Sequence, residues 1–307
     1  MQGVIIRNTG SRYQVRTGEG HLFDCTIKGN FRIKEINSTN PVAVGDRVFF
    51  DVVQEGEGVI YDIEDRKNYI VRKPSNLSKQ VHIIAANIDQ VLVVLTINYP
   101  KISTVFLDRI LATCEAYHVS AKLIINKTDL YSDEELEYLK ALCLLYENIG
   151  YECLSVSTIN RQGLDRMAQW LKGKVSLLAG HSGVGKSSLI NAIFPQFTLR
   201  TGEISAAHNK GTHTTTFSEM IDAGENSFII DTPGIKGFGT INFQREETGH
   251  FFPEIFAISK KCRFTNCTHV HEPGCAVLRA VAEQRISQSR YRSYLSILED
   301  VGAGKYR

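Results

Sequence analysis

Three domains of different class are predicted: a small N-terminal β-barrel at residues 1–72, a central doubly wound α/β domain at 73–240 and a C-terminal helical domain at 241–307. Three observations predict them. Short β-rich runs recur up to residue 70, a strand, loop, helix rhythm follows from residue 81, and three of the seven cysteines crowd between residues 262 and 275. A chain of 307 residues is long enough for two or three such units.

The barrel rests on five runs, "GVIIRNTG", "RYQVRTG", "HLFDCTIKG", "GDRVFFDVV" and "EGVIYDIED", each bounded by Gly, Asn or Asp. Even spacing with turn residues between runs is the pattern of a small antiparallel barrel. Residues 71–80, "VRKPSNLSKQ", are polar and carry a proline, which reads as a linker.

In the central domain, strands are expected at 91–96, 122–126, 151–156, 175–179, 216–221 and 227–231, and helices at 104–118, 133–147, 163–171 and 186–193. Val105, Ile110, Leu111 and Cys114, for example, recur at helical spacing. "DAGENS" (222–227) joins the last two strands as a hairpin. Alternating β and α implies a mostly parallel sheet with sites at the carboxyl ends of its strands.

Composition is that of a soluble globular protein, 43% hydrophobic and 22% charged. The greasiest run, "VLVVLTI" (91–97), is too short to span a bilayer and the start has no long apolar segment, so a cytoplasmic protein without a membrane partner is expected, and a monomer. An odd number of cysteines argues against a disulfide framework, and Cys25, Cys114, Cys143 and Cys153 read as core residues. Residues 1–79 hold twelve Lys/Arg against ten Asp/Glu, 80–239 thirteen against sixteen, and 240–307 ten against seven. The basic excess at the two flanks is compatible with nucleic acid but small.

"GHSGVGKS" (180–187) follows an apolar strand and opens a helix, as a phosphate-binding loop requires. Gly180, Gly183 and Gly185 let backbone N–H groups turn inward around phosphates, and His181, Ser182, Val184 and Ser188 complete the set of candidate contacts. Lys186 is expected to reach the β- and γ-phosphates and Ser187 to ligate Mg2+. Downstream, "SFIIDTPGIKGFG" ends a strand at Asp231, which would hold Mg2+ through water, while the Gly234 N–H would sense the γ-phosphate. Thr214 or Thr215 in "NKGTHTTTFSEM" would be the second hydroxyl ligand to Mg2+, the alternative being a β-prone Thr run entering a strand, and His213 is a candidate to position the attacking water.

"NKTD" (126–129) closes another apolar run. Asp129 can accept two hydrogen bonds from the ring N–H and amine of guanine, a pair that adenine lacks. Asn126 would approach the guanine carbonyl, the Lys127 stem would lie along the ring, and Thr128 completes the motif. In "SVSTINRQG" (155–163), Ser157 and the N–H of Thr158 suit a loop closing over the same carbonyl. The order is base reader, base-closing loop, phosphate loop, Thr switch, DTPG. That is the usual GTPase order rotated, which is feasible because termini lie at the surface and often close together.

"CRFTNCTHVHEPGC" offers Cys262, Cys267, His269 and Cys275 as a closed, structural zinc site, with His271 as a competing ligand. The helices that follow carry Arg279, Arg285, Arg290, Arg292, Tyr291 and Tyr294, which suit either RNA contact or packing.

Taken together, the chain resembles the ribosome small subunit-dependent GTPase A family of circularly permuted bacterial GTPases, over nearly its whole length. The shared pieces are "PVAVGDRV", "IAANIDQVLVV", "NKTD", "GHSGVGKSSLIN", "GTHTTT", "DTPGI" and a cysteine pattern ending "HEPGC". The resemblance implies an OB-like N-terminal barrel, GTP as substrate and GDP as product, Mg2+ and one structural Zn2+. It also implies binding to the small ribosomal subunit, through ribosomal RNA and proteins, late in assembly, with hydrolysis stimulated there and release afterwards. Ile235 stands where many GTPases place a water-orienting glutamine, so low basal turnover is expected. Thr212 stands where the family usually has arginine. A GTP-dependent RNA-binding adaptor in which hydrolysis has no role is the competing expectation.

Overall fold

A computed structural model describes residues 1–28, 41–72, 82–101, 103–196, 219–231 and 243–302. Five strands form the N-terminal barrel: β1 (Gln2–Asn8), β2 (Tyr13–Thr17), β3 (Leu22–Ile27), β4 (Arg47–Gln54) and β5 (Glu57–Ile63). They run in the order β1-β2-β3-β5-β4, and β4 returns to pair with β1 through Gly3 and Val48. Closure removes the exposed edges that would otherwise recruit other strands. Alternation sends Ile5, Val15, Cys25, Val48, Phe50 and Ile60 into the interior. The expected barrel is present, but not wholly antiparallel: β3 and β5 pair in parallel, and β4, which separates them in the chain, pairs antiparallel with β5 and β1.

"PVAVGDRV" forms a joint between domains. Val42, Ala43 and Val44 are buried, the Ala86 N–H donates to the Val44 carbonyl (2.8 Å), and Asn87 Nδ2 donates to the Gly45 carbonyl (3.0 Å). Asp46, fully buried, accepts from Arg66 Nε (2.7 Å) and Nη2 (2.7 Å). The linker expected at 71–80 begins later than its composition indicates. Tyr69–Arg72 is a strand (β6) paired antiparallel with His82–Ala86 (β7), so Val71 and Arg72 belong to a hairpin; residues 73–80 lie outside the described residues. The β-prone run "YIV" outweighs its polar neighbours.

The central sheet contains β8 (Gln90–Leu95), β9 (Ser120–Ile125), β10 (Cys153–Ser155), β11 (Val175–Ala179), β12 (Glu219–Gly224) and β13 (Ser227–Asp231). Their order is β10-β9-β8-β11-β13-β12, parallel except for the β12–β13 hairpin. A bridge from Arg7 to Glu219 joins this sheet to the barrel. The strands expected at 175–179 and 227–231 are present with those ends, and those expected at 91–96, 122–126 and 151–156 are present with shifted ends; residues 216–218 of the sixth lie outside the described residues.

Helices α1 (Thr104–Ala116), α2 (Asp133–Ile149), α3 (Leu164–Leu171) and α4 (Lys186–Ile193) cover the sheet. Both faces of β8 are buried, which is why it reads as a continuous apolar run rather than an alternating one. Val91, Val93 and Leu95 face Leu107, Ile110 and Leu111 of α1, while Leu92 and Val94 join the cluster of Met167, Trp170 and Leu189. A reciprocal Ser132/Glu135 cap starts α2 and Gly150, left-handed, ends it.

Beyond residue 243 the chain forms α5 (Pro253–Ser259), α6 (Ala276–Ala282) and α7 (Gln288–Gly302), which pack on α1 through Ala112, Phe252, Ile255, Tyr294 and Ile297. Here the RNA alternative for α7 fails at three residues. Arg290 is 1% exposed: its Nε lies 2.6 Å from Glu254 Oε1 and its Nη1 2.6 Å from Asp108 Oδ1 in α1. The same Asp108 oxygen accepts from the Tyr146 hydroxyl of α2 (2.7 Å). Tyr294 and Tyr291 donate to the carbonyls of Thr268 (2.6 Å) and His269 (2.7 Å). Arg109 and Asp300 form a second link at 2.6 Å.

Removing one partner of a buried pair strands the other charge, whereas an apolar replacement of the set need not destabilise. Arg290→Met should therefore cost about 3–5 kcal/mol, seen as a lower thermal midpoint. Pairing it with Asp108→Leu should recover part of the loss.

Candidate guanine-nucleotide site and zinc cluster

The phosphate loop connects β11 to α4 through three glycines with positive φ, Gly180 (+145°), Gly183 (+83°) and Gly185 (+96°). Space as well as φ demands glycine at two of them. A Cβ on Gly180 would lie 2.2 Å from the Val94 carbonyl oxygen, and one on Gly185 would lie 2.4 Å from Asn126 Nδ2. The loop is thereby pressed against the end of β8 and against the base reader.

Lys186 Nζ lies inside the loop, donating to the carbonyls of Gly180 (2.8 Å) and His181 (2.9 Å). The His181 ring stacks on Phe106 of α1, centroids 3.9 Å apart. Burial and the nearby Lys186 charge lower its pKa, so it is neutral at physiological pH. Val184 is buried, Ser182 is exposed, and Ser187 and Ser188 are half-buried in the first turn of α4.

The base reader meets this loop directly. Asn126, 1% exposed, donates from Nδ2 to the Val184 carbonyl at 2.8 Å. Lys127, itself left-handed (φ 62°), donates to the carbonyls of Gly183 (2.8 Å) and Tyr99 (2.7 Å). Thr128 Oγ1 donates to the Val156 carbonyl (3.1 Å), tying the motif to the base-closing loop. In that loop the Ser157 hydroxyl lies 2.5 Å from Asp129 Oδ1 and accepts from the Ile159 N–H (3.2 Å), while Thr158 is half-buried beside it.

Motifs more than 50 residues apart in the chain thus form one wall, and the buried Asn126 Oδ1 has no partner among the described residues. An inward-turned glycine loop at a helix start, a lysine and an exposed carboxylate fit a guanine nucleotide. The backbone of Asp231 ends β13 beside Leu178 of β11. His213, Thr214, Thr215, Gly234 and Ile235 lie outside the described residues. Phe106, which supports the phosphate loop through His181, went unnoticed in the sequence because an aromatic at helical spacing looks like any core residue, and the Tyr99 contact is a main-chain carbonyl that no side-chain pattern reveals.

The ligand atoms of Cys262, Cys267, His269 and Cys275 all lie within 4.8 Å of one another. Zinc–sulfur and zinc–nitrogen bonds of about 2.3 and about 2.0 Å at tetrahedral angles require S–S edges of about 3.8 Å and S–N edges of about 3.5 Å. The observed edges are 3.9 Å for Cys262–Cys275 and 3.6 and 3.5 Å from His269 Nδ1 to Cys262 and Cys275. The set fits zinc, and exposed His271 lies outside it. Glu272 shapes the loop by accepting from Thr268 N (2.6 Å), Val270 N (2.9 Å) and His271 N (3.1 Å). Burial opposes its ionisation, but a hydrogen bond from the Thr268 hydroxyl (2.6 Å) together with the backbone N–H groups prevails and holds its pKa at about 2.

Residues 63–241 match the RsgA GTPase family and residues 2–60 the RsgA N-terminal domain. The chain belongs to the RsgA GTPase family. Two RsgA proteins are similar to it over its full length. The small ribosomal subunit biogenesis GTPase RsgA 2 of Bacteroides thetaiotaomicron is 59% identical, with 99% of that relative covered. The small ribosomal subunit biogenesis GTPase RsgA of Porphyromonas gingivalis is 56% identical, again with 99% covered. Among solved structures, YjeQ from Thermotoga maritima has a TM-score of 0.79 at 32% identity, 98% of each chain being covered. YloQ, described as a circularly permuted GTPase, has a TM-score of 0.75 at 30% identity, covering all of this chain and 96% of that one. As a member of the RsgA GTPase family the protein is a GTP hydrolase with an OB-like barrel and a permuted catalytic domain.

Purified under reducing conditions, the protein should contain one zinc per chain by atomic emission. Cys275→Ser should lower that content and the thermal midpoint together, whereas a metal-free wild type with an unaltered midpoint would contradict the assignment.

Proposed function

We propose that the protein binds the small ribosomal subunit late in its maturation, hydrolyses GTP faster there than alone, and leaves after hydrolysis. The observation that carries the nucleotide half is the direct joining of base reader to phosphate loop, Asn126 to Val184 and Lys127 to Gly183. The ribosomal half is supported by the names of the relatives in Bacteroides thetaiotaomicron and Porphyromonas gingivalis.

In this reading Asp129 selects guanine, Ser157 and Thr158 close over the base, and the N–H groups of residues 180–188 with Lys186 hold the phosphates. Ser187, Asp231 through water, and one of Thr214 and Thr215 would hold Mg2+, which would neutralise charge on the phosphates. Gly234 senses the γ-phosphate and His213 orients the attacking water, a task that Ile235 cannot perform. The cysteine cluster holds one structural Zn2+, and the three domains divide near residues 72 and 240. A monomer in the cytoplasm is the proposed state; no described helix is long and apolar enough to cross a membrane.

Ribosomal RNA contact on the zinc domain is assigned to the edge leading into the cysteine loop rather than to Arg290 or the α7 tyrosines. Lys260 Nζ lies over the Phe256 ring (5.1 Å from its centroid) and the Arg263 guanidinium over Phe264 (5.4 Å), and both rings are exposed. Lys260, Lys261 and Arg263 have no acidic partner among the described residues. Exposed rings with unpaired cations offer stacking and phosphate contact at once.

Single-turnover GTP hydrolysis should accelerate at least about tenfold when small subunits are added, and His213→Ala should abolish most of that acceleration. Subunit binding without acceleration would instead identify an adaptor whose hydrolysis plays no part. Full acceleration in His213→Ala would remove that residue from the mechanism.

A further inference from the structure

Strands β8 and β9 pair in parallel from Gln90↔Ser120 to Leu95↔Ile125, and the Asn126 N–H donates to the Leu95 carbonyl (2.8 Å) as the last regular rung. In a parallel ladder the next bond would run from the Ile97 N–H to the Asn126 carbonyl. It does not form. The phenol oxygen of Tyr131 lies between the two groups, accepting from Ile97 N (2.8 Å) and donating to Asn126 O (2.7 Å). The strands are thus held two hydrogen-bond lengths apart, instead of one, at the residue where β9 becomes the base reader.

Tyr131 directly follows the 3-10 turn Thr128–Leu130, which carries Asp129, so the wedge and the guanine-reading carboxylate belong to one short stretch of chain. On the other side of the gap runs the segment whose Tyr99 carbonyl receives Lys127. Burial pushes the Tyr131 hydroxyl up to about 12, so the phenol stays neutral and keeps both its donor and its acceptor.

We propose that Tyr131 is a positioning residue for guanine specificity: its hydroxyl replaces one rung of the β8–β9 ladder and sets the separation at which Asn126, Lys127 and Asp129 meet the base. This rests on the nucleotide site described above. Without the hydroxyl, either Ile97 and Asn126 close into a direct rung and drag the turn with them, or a buried N–H and carbonyl lose their partners. Asp129 reads the exocyclic amine that hypoxanthine lacks, so misplacement weakens guanine binding more than hypoxanthine binding.

The test is the affinity of the full-length protein for GDP and IDP, measured by calorimetry without ribosomes. Tyr131→Phe should lower the GDP over IDP preference about five- to tenfold. Tyr146→Phe removes another buried hydroxyl, the one on Asp108, and should lower the thermal midpoint while leaving the preference intact. A preference unchanged in Tyr131→Phe overturns the proposal while the site stands. A wild-type protein that prefers GDP neither to IDP nor to ADP overturns the site and the proposal together. On the unsubstituted protein, amide exchange at Ile97 should slow more with GDP than with IDP; equal protection would also overturn it, even were the variant to misfold.

Discussion

The hydrogen bond from Asn126 Nδ2 to the Val184 carbonyl is the contact on which the nucleotide site depends. It joins a motif early in the chain to a loop 58 residues later, with β8 and β11 paired in parallel beneath. Everything near it is arranged for close approach: Gly185 leaves room for the Asn126 amide, Gly180 lets the loop pass over the Val94 carbonyl, and Lys127 closes the remaining gap to Gly183. In an ordinary GTPase order the same two pieces meet from the opposite ends of the domain. Permutation alters the connections and leaves the contact, because the sheet order fixes which strand ends are neighbours.

The zinc domain is attached to this assembly through α1. Arg290 and Asp300 grip Asp108 and Arg109, two and three residues beyond Phe106, whose ring lies on His181 of the phosphate loop. In the proposed reading Gly234 would sense the γ-phosphate, and it stands only a short stretch of sequence before the helices that carry the cysteine cluster. A buried ion pair with Tyr146 on the same carboxylate makes that domain an extension of the base-reading half. Any displacement driven from residues 232–242 must work against that attachment or carry α1 with it.

What was legible in the sequence is what the backbone alone dictates. The glycines of the phosphate loop, the polar tetrapeptide ending a strand, and the spacing of Cys262, Cys267, His269 and Cys275 each require particular residues wherever they occur, so they can be read without knowing their neighbours. The sheet followed from short apolar runs alternating with helical segments, although the β6–β7 pair was hidden by the lysines and proline that follow β6 in the sequence, and the parallel β3–β5 pair is invisible to periodicity. Arg290 shows the limit most clearly. An arginine beside tyrosines on a helix looks like an RNA contact, and only the position of Asp108, 182 residues away, turns it into a buried brace. Tyr131 was missed for the same reason: its role lies in two main-chain groups from another strand.

The central claim is that guanine is selected by Asp129, in a wall built with the phosphate loop. Calorimetric titration of Asp129→Asn with GDP and XDP tests it most directly, because xanthine presents an oxygen where guanine presents its amine. The account predicts that the variant loses at least about 100-fold in GDP affinity and gains in XDP affinity. Tight GDP binding retained by the variant would contradict it.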